Sequence, residues 1–287
     1  MNNRNFILTL FLLLATAVSV VAQEASADSH YAKLDGNKIH YQSYGKGRDA
    51  IVLVHGWGCN LNHWRDQIPE LSKRARVIAL DLPGHGLSDK PEISYTMDLF
   101  AAAIDAVMKD AKVERAVLVG HSMGTPVVRQ FYRKYPKETL GLVIVDGGLR
   151  PFADKAHRDQ FIEMFRGPNY KEAGAQMFAA MTATMAEADR ERVRTSFTGT
   201  PQKVLVSAME SMNDDALYTT DKINVPVLAI LAKSPYWPAD TEQFFRSLAP
   251  DLTFVMWEGV GHFLMIERPK EFNAAVIAFL DKKSLLK

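Results

Sequence analysis

Gly120-His121-Ser122-Met123-Gly124 decides the fold of this chain. The pentapeptide is a G-x-S-x-G pattern placed at an abrupt change of periodicity. Before it, Arg115-Ala116-Val117-Leu118-Val119 is short, apolar and partly β-branched, which reads as a buried strand. After it, Thr125 to Tyr135 reads as a helix. A serine on so tight a strand-to-helix turn adopts a strained backbone, and glycines two positions to either side let strand and helix close on each other. The hydroxyl then stands beside a helix N-terminus, where backbone N–H groups can hold an anion. That is the geometry of a serine nucleophile. The plain alternative is a glycine-flanked turn bearing an ordinary surface serine.

Outward from this turn, strand-like and helix-like segments alternate. Ala32 to Tyr44 reads as a hairpin turning at Asp35-Gly36-Asn37. Ala50–Val54, Arg76–Leu80, Leu142–Val145, Val225–Leu231 and Leu252–Trp257 read as further strands. Asn62–Ser72, Thr96–Ala111, Ala239–Leu248 and Pro269–Lys282 read as helices. The alternation predicts an α/β fold: a mostly parallel, doubly wound sheet with helices on both faces. Residues 150–221 interrupt it with helical patterns and no convincing strand. That stretch carries Met164, Met177, Met181, Met185, Met209 and Met212. It predicts a helical cap inserted between core segments 30–149 and 222–287, over the carboxyl edge of the sheet where such folds bind ligands. Methionine is a pliable lining; most of these side chains are expected to pack cap helices, with one or two facing a substrate.

Residues 1–22 stand apart. Asn2-Asn3-Arg4 followed by the apolar run Phe6–Val18 and the small or β-branched Val20-Val21-Ala22 reads as a cleaved signal peptide, with Ala25-Ser26-Ala27 as a second possible cleavage site. The apolar run is short for a bilayer span. The expectation is a periplasmic or secreted protein with no stable membrane span in the mature chain, whose roughly 260 residues suit one domain with an insertion. The single cysteine, Cys59, excludes an internal disulfide and reads as a small loop residue. A net charge of +1 without long basic runs points away from nucleic acid. No C-x-x-C or H-E-x-x-H occurs, so neither metal nor cofactor is expected.

A serine hydroxyl needs a base to become a nucleophile. The chain has eight histidines: His30, His40, His55, His63, His85, His121, His157 and His262. Only His262 lies in a loop after a late strand, in Glu258-Gly259-Val260-Gly261-His262-Phe263. With His55-Gly56-Trp57-Gly58 and Asp81-Leu82-Pro83-Gly84-His85-Gly86-Leu87-Ser88-Asp89, these segments resemble the α/β-hydrolase superfamily, in that family's order, from about Tyr31 to the C-terminus. The resemblance implies Ser122 as nucleophile and His262 as general base and then acid. It implies an oxyanion hole from the backbone N–H groups of Trp57 and Met123. His55, His85 and His121 read as structural neighbours of that machinery.

The third triad member departs from the family pattern. An acid usually follows the strand that here is Val225–Leu231, yet Ser234 and Pro235 stand there. Asp146, ending the preceding strand, is the expected acid; Asp240 is the alternative; an incomplete triad is the third reading. The expected activity is that of a carboxylesterase-like serine hydrolase cleaving an ester, thioester or lactone through an acyl-enzyme. Its substrate is expected to be a small molecule with an apolar acyl or aromatic group. Ser122 argues against the dehalogenase and epoxide hydrolase branches, which use aspartate at that position. A carbon–carbon bond hydrolase and a ligand-binding protein with little turnover are the alternatives.

Overall fold

The computed structural model describes residues 28–286; the signal peptide read over residues 1–22 lies outside them. The chain opens with β1 (Asp28–Leu34) and β2 (Asn37–Tyr44), paired antiparallel. Asp35 and Gly36 take φ of 48° and 83° between them, the left-handed pair that a two-residue hairpin turn requires. Then follow β3 (Asp49–Val54), α1 (Ile68–Leu71), β4 (Arg76–Leu80), α2 (Met97–Asp110), β5 (Arg115–His121), α3 (Gly124–Lys134) and β6 (Thr139–Val145). Four helices come next: α4 (Lys155–Arg166), α5 (Tyr170–Met181), α6 (Glu187–Thr198) and α7 (Gln202–Met212). The chain closes with β7 (Val227–Ala232), α8 (Thr241–Leu248), β8 (Leu252–Trp257), α9 (Leu264–Glu267) and α10 (Pro269–Lys282).

The eight strands form one sheet in the order β1-β2-β4-β3-β5-β6-β7-β8. β2 pairs antiparallel with β1 and β4, and every other pairing is parallel. β4 lies to one side of β3 and β5 to the other, so right-handed crossovers put the connecting helices on opposite faces. α2 packs on α3, and α1 packs on α10. Ala50–Val54 of β3 and Leu142–Val145 of β6 are wholly buried, which explains their unbroken apolar runs: a parallel strand covered on both faces has no solvent side to alternate with. Among the described residues no helix is long and apolar enough to cross a membrane.

The register sets the site. Val54 stands opposite Gly120, His121 opposite Val145, and Val145 opposite Ile230. The loops after β3, β5, β6 and β7 therefore leave the same edge of the sheet side by side.

Some elements differ from the sequence reading. Asn62–Ser72 is not one helix but a 3-10 turn, Leu61–Trp64, followed by α1 with Pro69 in its first turn. Proline lacks the N–H that would continue the earlier turn and is suited to starting a new helix. β7 begins at Val227, after Pro226 rather than through it, for the same reason. β6 begins three residues earlier than read, at Thr139.

Candidate active site

β5 ends at His121, and Ser122 follows with φ of 52°. Left-handed backbone is costly for a residue with a Cβ, and the neighbours show what holds it. Ser122 N–H donates to the Val145 carbonyl at 2.9 Å, and the Ser122 carbonyl accepts from Thr125 N–H at 2.9 Å. A Cβ on Gly120 would lie 2.4 Å from the Gly124 carbonyl oxygen, and one on Gly124 2.6 Å from that of Val54. Backbone meets backbone at both places, so no side chain can yield. The two glycines are steric requirements of the turn. Ser122 is half-buried, and its hydroxyl makes no hydrogen bond among the described residues.

Asp146 follows β6 with φ of 43° and is buried, at 8% exposure. His262 Nδ1–H donates to Asp146 Oδ2 at 2.6 Å. Asp146 Oδ1 accepts from Ala232 N–H at 2.8 Å. The carboxylate thus has one oxygen fixed by the end of β7 and the other free for the ring. With its proton on Nδ1, His262 presents a lone pair at Nε2. The strand end where the resemblance places an acid supplies an N–H to one instead. Asp240 stands elsewhere: it is 55% exposed and its carboxylate is bonded by Arg150, with Nη1 to Oδ2 at 3.0 Å.

The loop after β3 runs beside the Ser122 turn. The backbone N–H groups of Trp57 and Met123 make no hydrogen bond among the described residues. His55 holds this loop. Its Nδ1–H donates to the Gly56 carbonyl at 2.8 Å, and its Nε2 accepts from Leu82 N–H at 3.0 Å. Both bonds need the neutral ring, and burial lowers its pKa to match. Burial likewise holds the His85 ring down at about 3. His121 is lowered well below the usual histidine range by burial and by the neighbouring His262. Cys59 is buried, and burial pushes its thiol up, which leaves it an inert loop residue.

A family model described as alpha/beta hydrolase fold matches residues 49–167, the stretch from β3 through the Ser122 turn into α4. The chain has the α/β-hydrolase fold. It is 32% identical over 123 residues to the dihydrolipoyllysine-residue acetyltransferase component of an acetoin cleaving system from Cupriavidus necator, covering 43% of this chain and only 33% of that relative. It is 25% identical over 275 residues to the 2-hydroxy-6-oxo-6-(2'-aminophenyl)hexa-2,4-dienoic acid hydrolase of Metapseudomonas resinovorans, covering 91% of this chain and 93% of that one. The enol-lactonase of Burkholderia xenovorans LB400 superposes with a TM-score of 0.79 at 23% identity, over 88% of this chain and 100% of that one. At that identity the likeness is one of fold.

Within this fold the Trp57 side chain turns into the helices α4–α7. Its indole N–H donates to the Leu205 carbonyl at 2.8 Å. Phe165 meets it edge-on at 4.8 Å, Phe197 lies at 5.5 Å and Phe178 stacks parallel at 6.4 Å. Phe161 joins Trp57 to Phe152, which is 56% exposed. Phenylalanine rings pack on Trp57; Met185 and Met209 are buried, while Met164 is exposed. The signal was present in the i, i+4 spacing of Phe161 and Phe165 on one helix face. A cleft of about 580 Å³ opens between β2, the Asp81–Leu87 loop and α6, lined by His40, Gln42, Asn60, Asp81 and Arg192. Ser122, Asp146 and His262 do not line it. Among the described residues no group of three or more His, Cys, Asp or Glu could hold a metal ion.

Proposed function

We propose that the chain is a serine hydrolase that cleaves a carboxylic ester, thioester or lactone through an acyl-enzyme on Ser122. The observation that carries this reading is the 2.6 Å bond from His262 Nδ1–H to a buried carboxylate that a main-chain N–H also fixes. In this reading Asp146 sets the tautomer, and His262 Nε2 takes the Ser122 proton and later returns it to the leaving group. The N–H groups of Trp57 and Met123 receive the charge that develops on the carbonyl oxygen; removing one such donor typically costs on the order of 10²–10³ in rate. Helices α4–α7 act as the cap, and the aromatic packing around Trp57 favours an apolar acyl or aromatic group. Hydrolysis of p-nitrophenyl butyrate tests this, with Ser122→Ala beside it. Turnover that disappears in the variant supports the proposal. Turnover equal in the two chains, or absent from both, removes it and leaves the binding-protein reading.

The second reading, carbon–carbon bond cleavage of a dienone-type acid, is favoured by the relative that matches nine-tenths of the chain. A dienoic acid brings a carboxylate that needs a cation. The guanidinium groups of the insertion and its border that are most withdrawn from solvent are already paired: Arg129 with Asp221, Arg158 with Asp215, Arg192 with Asp66 and Asp189. That pairing supports the neutral-ester reading. A vinylogous 1,5-diketone acid offered beside the ester, with kcat/KM compared, separates the two.

We also propose export to the periplasm or medium, on the strength of residues 1–22. N-terminal sequencing of the chain recovered from periplasmic and medium fractions checks it. A chain found only in the cytosol with its first residues intact contradicts it.

A further inference from the structure

The loop carrying His262 is held at its backbone from three directions. His121 Nε2–H donates to the His262 carbonyl at 2.9 Å. Arg268 Nη2 donates to the carbonyls of Glu258 at 2.9 Å and Gly259 at 3.3 Å. Gly261 N–H donates to Glu267 Oε1 at 2.8 Å. The first hold comes from the core and the second from the residue between α9 and α10. The third goes further. The other oxygen of that carboxylate, Glu267 Oε2, accepts from the Thr184 hydroxyl at 2.7 Å. Thr184 lies in the linker between α5 and α6, within the helical insertion.

The linker also sits directly on the loop. A Cβ on Gly261 would lie 2.9 Å from Glu267 Oε1, 3.0 Å from the Met181 carbonyl and 3.2 Å from Thr184 Oγ1. One carboxylate therefore joins the N–H beside His262 to the insertion, at a point where loop and linker are already in contact. The loop needs such a hold. Gly259 has φ of 68° and Gly261 lacks a side chain, so the segment is short of conformational restraint of its own. Asp146 fixes the ring at Nδ1 but leaves the position of the backbone free.

We propose that Glu267 is a positioning residue: through Thr184 it ties the seating of the insertion to the placement of His262, aligning the base on Ser122 when the linker is docked. This rests on the reading of His262 as the base of Ser122. A general base displaced by about 1 Å loses on the order of 10² in rate, so even a modest slackening of the loop is visible in turnover.

The test compares Thr184→Val, Thr184→Ser and Glu267→Gln in the full chain. It reads kcat and KM for p-nitrophenyl butyrate, the second-order rate of Ser122 labelling by an alkyl fluorophosphonate, and the melting temperature. Thr184→Val removes one hydrogen bond from an exposed side chain, so the fold survives even where Glu267→Gln fails to fold. The expected result is a fall of about threefold to tenfold in kcat and labelling rate, with KM within about twofold. Thr184→Ser, which keeps the hydroxyl, restores both rates. Unchanged kcat and labelling with only a lower melting temperature would overturn the proposal and leave Glu267 a structural tie. A raised KM at constant kcat would also overturn it, because the contact would then serve binding. Failure of the unsubstituted chain to label overturns the Ser122 reading itself, and is thereby distinct from a failure of this inference.

Discussion

At the residue scale the chemistry turns on where single side chains are aimed. The turns carrying Ser122 and His262 were legible because Gly120 and Gly124 frame the first and Gly259 and Gly261 precede the second. The carboxylate that meets His262 was legible only as a choice. Which carboxylate reaches His262 depends on where β6 and β7 end relative to each other, and register is not written in the composition of either strand. The structure puts Asp146 on the ring and Asp240 on Arg150. Asp146→Asn is therefore expected to lower kcat by on the order of 10³–10⁴, while Asp240→Asn stays within about twofold, as expected for an exposed surface pair. Steady-state kinetics on the two variants check this; the reverse order contradicts it. Gly124→Ala places a Cβ 2.6 Å from the Val54 carbonyl oxygen. That clash is expected to cost at least about 2–3 kcal/mol of stability, read from urea unfolding. Glu267 was not legible at all, because its significance comes from a linker 83 residues away in sequence.

At the scale of elements, periodicity did well where one face of a segment is buried and poorly where proline intervenes. α10 and β8 fall on the boundaries read from sequence, since their apolar patterns run uninterrupted. The split of Asn62–Ser72 at Pro69 and the late start of β7 follow from the missing proline N–H. The short α9 escaped because four residues give no period to detect. Rings join the helical insertion to the Trp57 loop, with Phe178 and Phe197 4.8 Å apart and both on Trp57. Phe178 is 5% exposed. Phe178→Ala is expected to lower stability by about 3–5 kcal/mol and to loosen the packing around the Trp57 loop. Chemical denaturation gives the first effect. A shift in kcat/KM from butyrate toward longer acyl esters gives the second, and an unchanged chain-length profile would place Phe178 outside the acyl pocket.

At the scale of the whole molecule, the histidines packed at the edge of the sheet make stability depend on pH. His55, His63, His85 and His121 are all buried, and burial is the first cause of a lowered pKa in each, with His63 and His85 held down at about 3. Unfolded histidines titrate near about 6.5. Below that pH unfolding takes up protons that the folded chain refuses, so this stability is full above about 6.5 and falls as pH drops toward about 3. His63 and His85 each contribute a slope of about 1.4 kcal/mol per pH unit inside that window, and His55 and His121 act in the same direction. The melting temperature is expected to fall steadily from pH 7 to pH 4; a flat profile would show that these rings are charged in the folded chain. The same edge carries the proposed chemistry, and the most direct measurement of that chemistry is the mass of the whole chain after brief acid quench from p-nitrophenyl butyrate. The account predicts one added butyryl group, mapped to the peptide containing Ser122 and absent from Ser122→Ala. An adduct on another residue, or one that persists in Ser122→Ala, would contradict it.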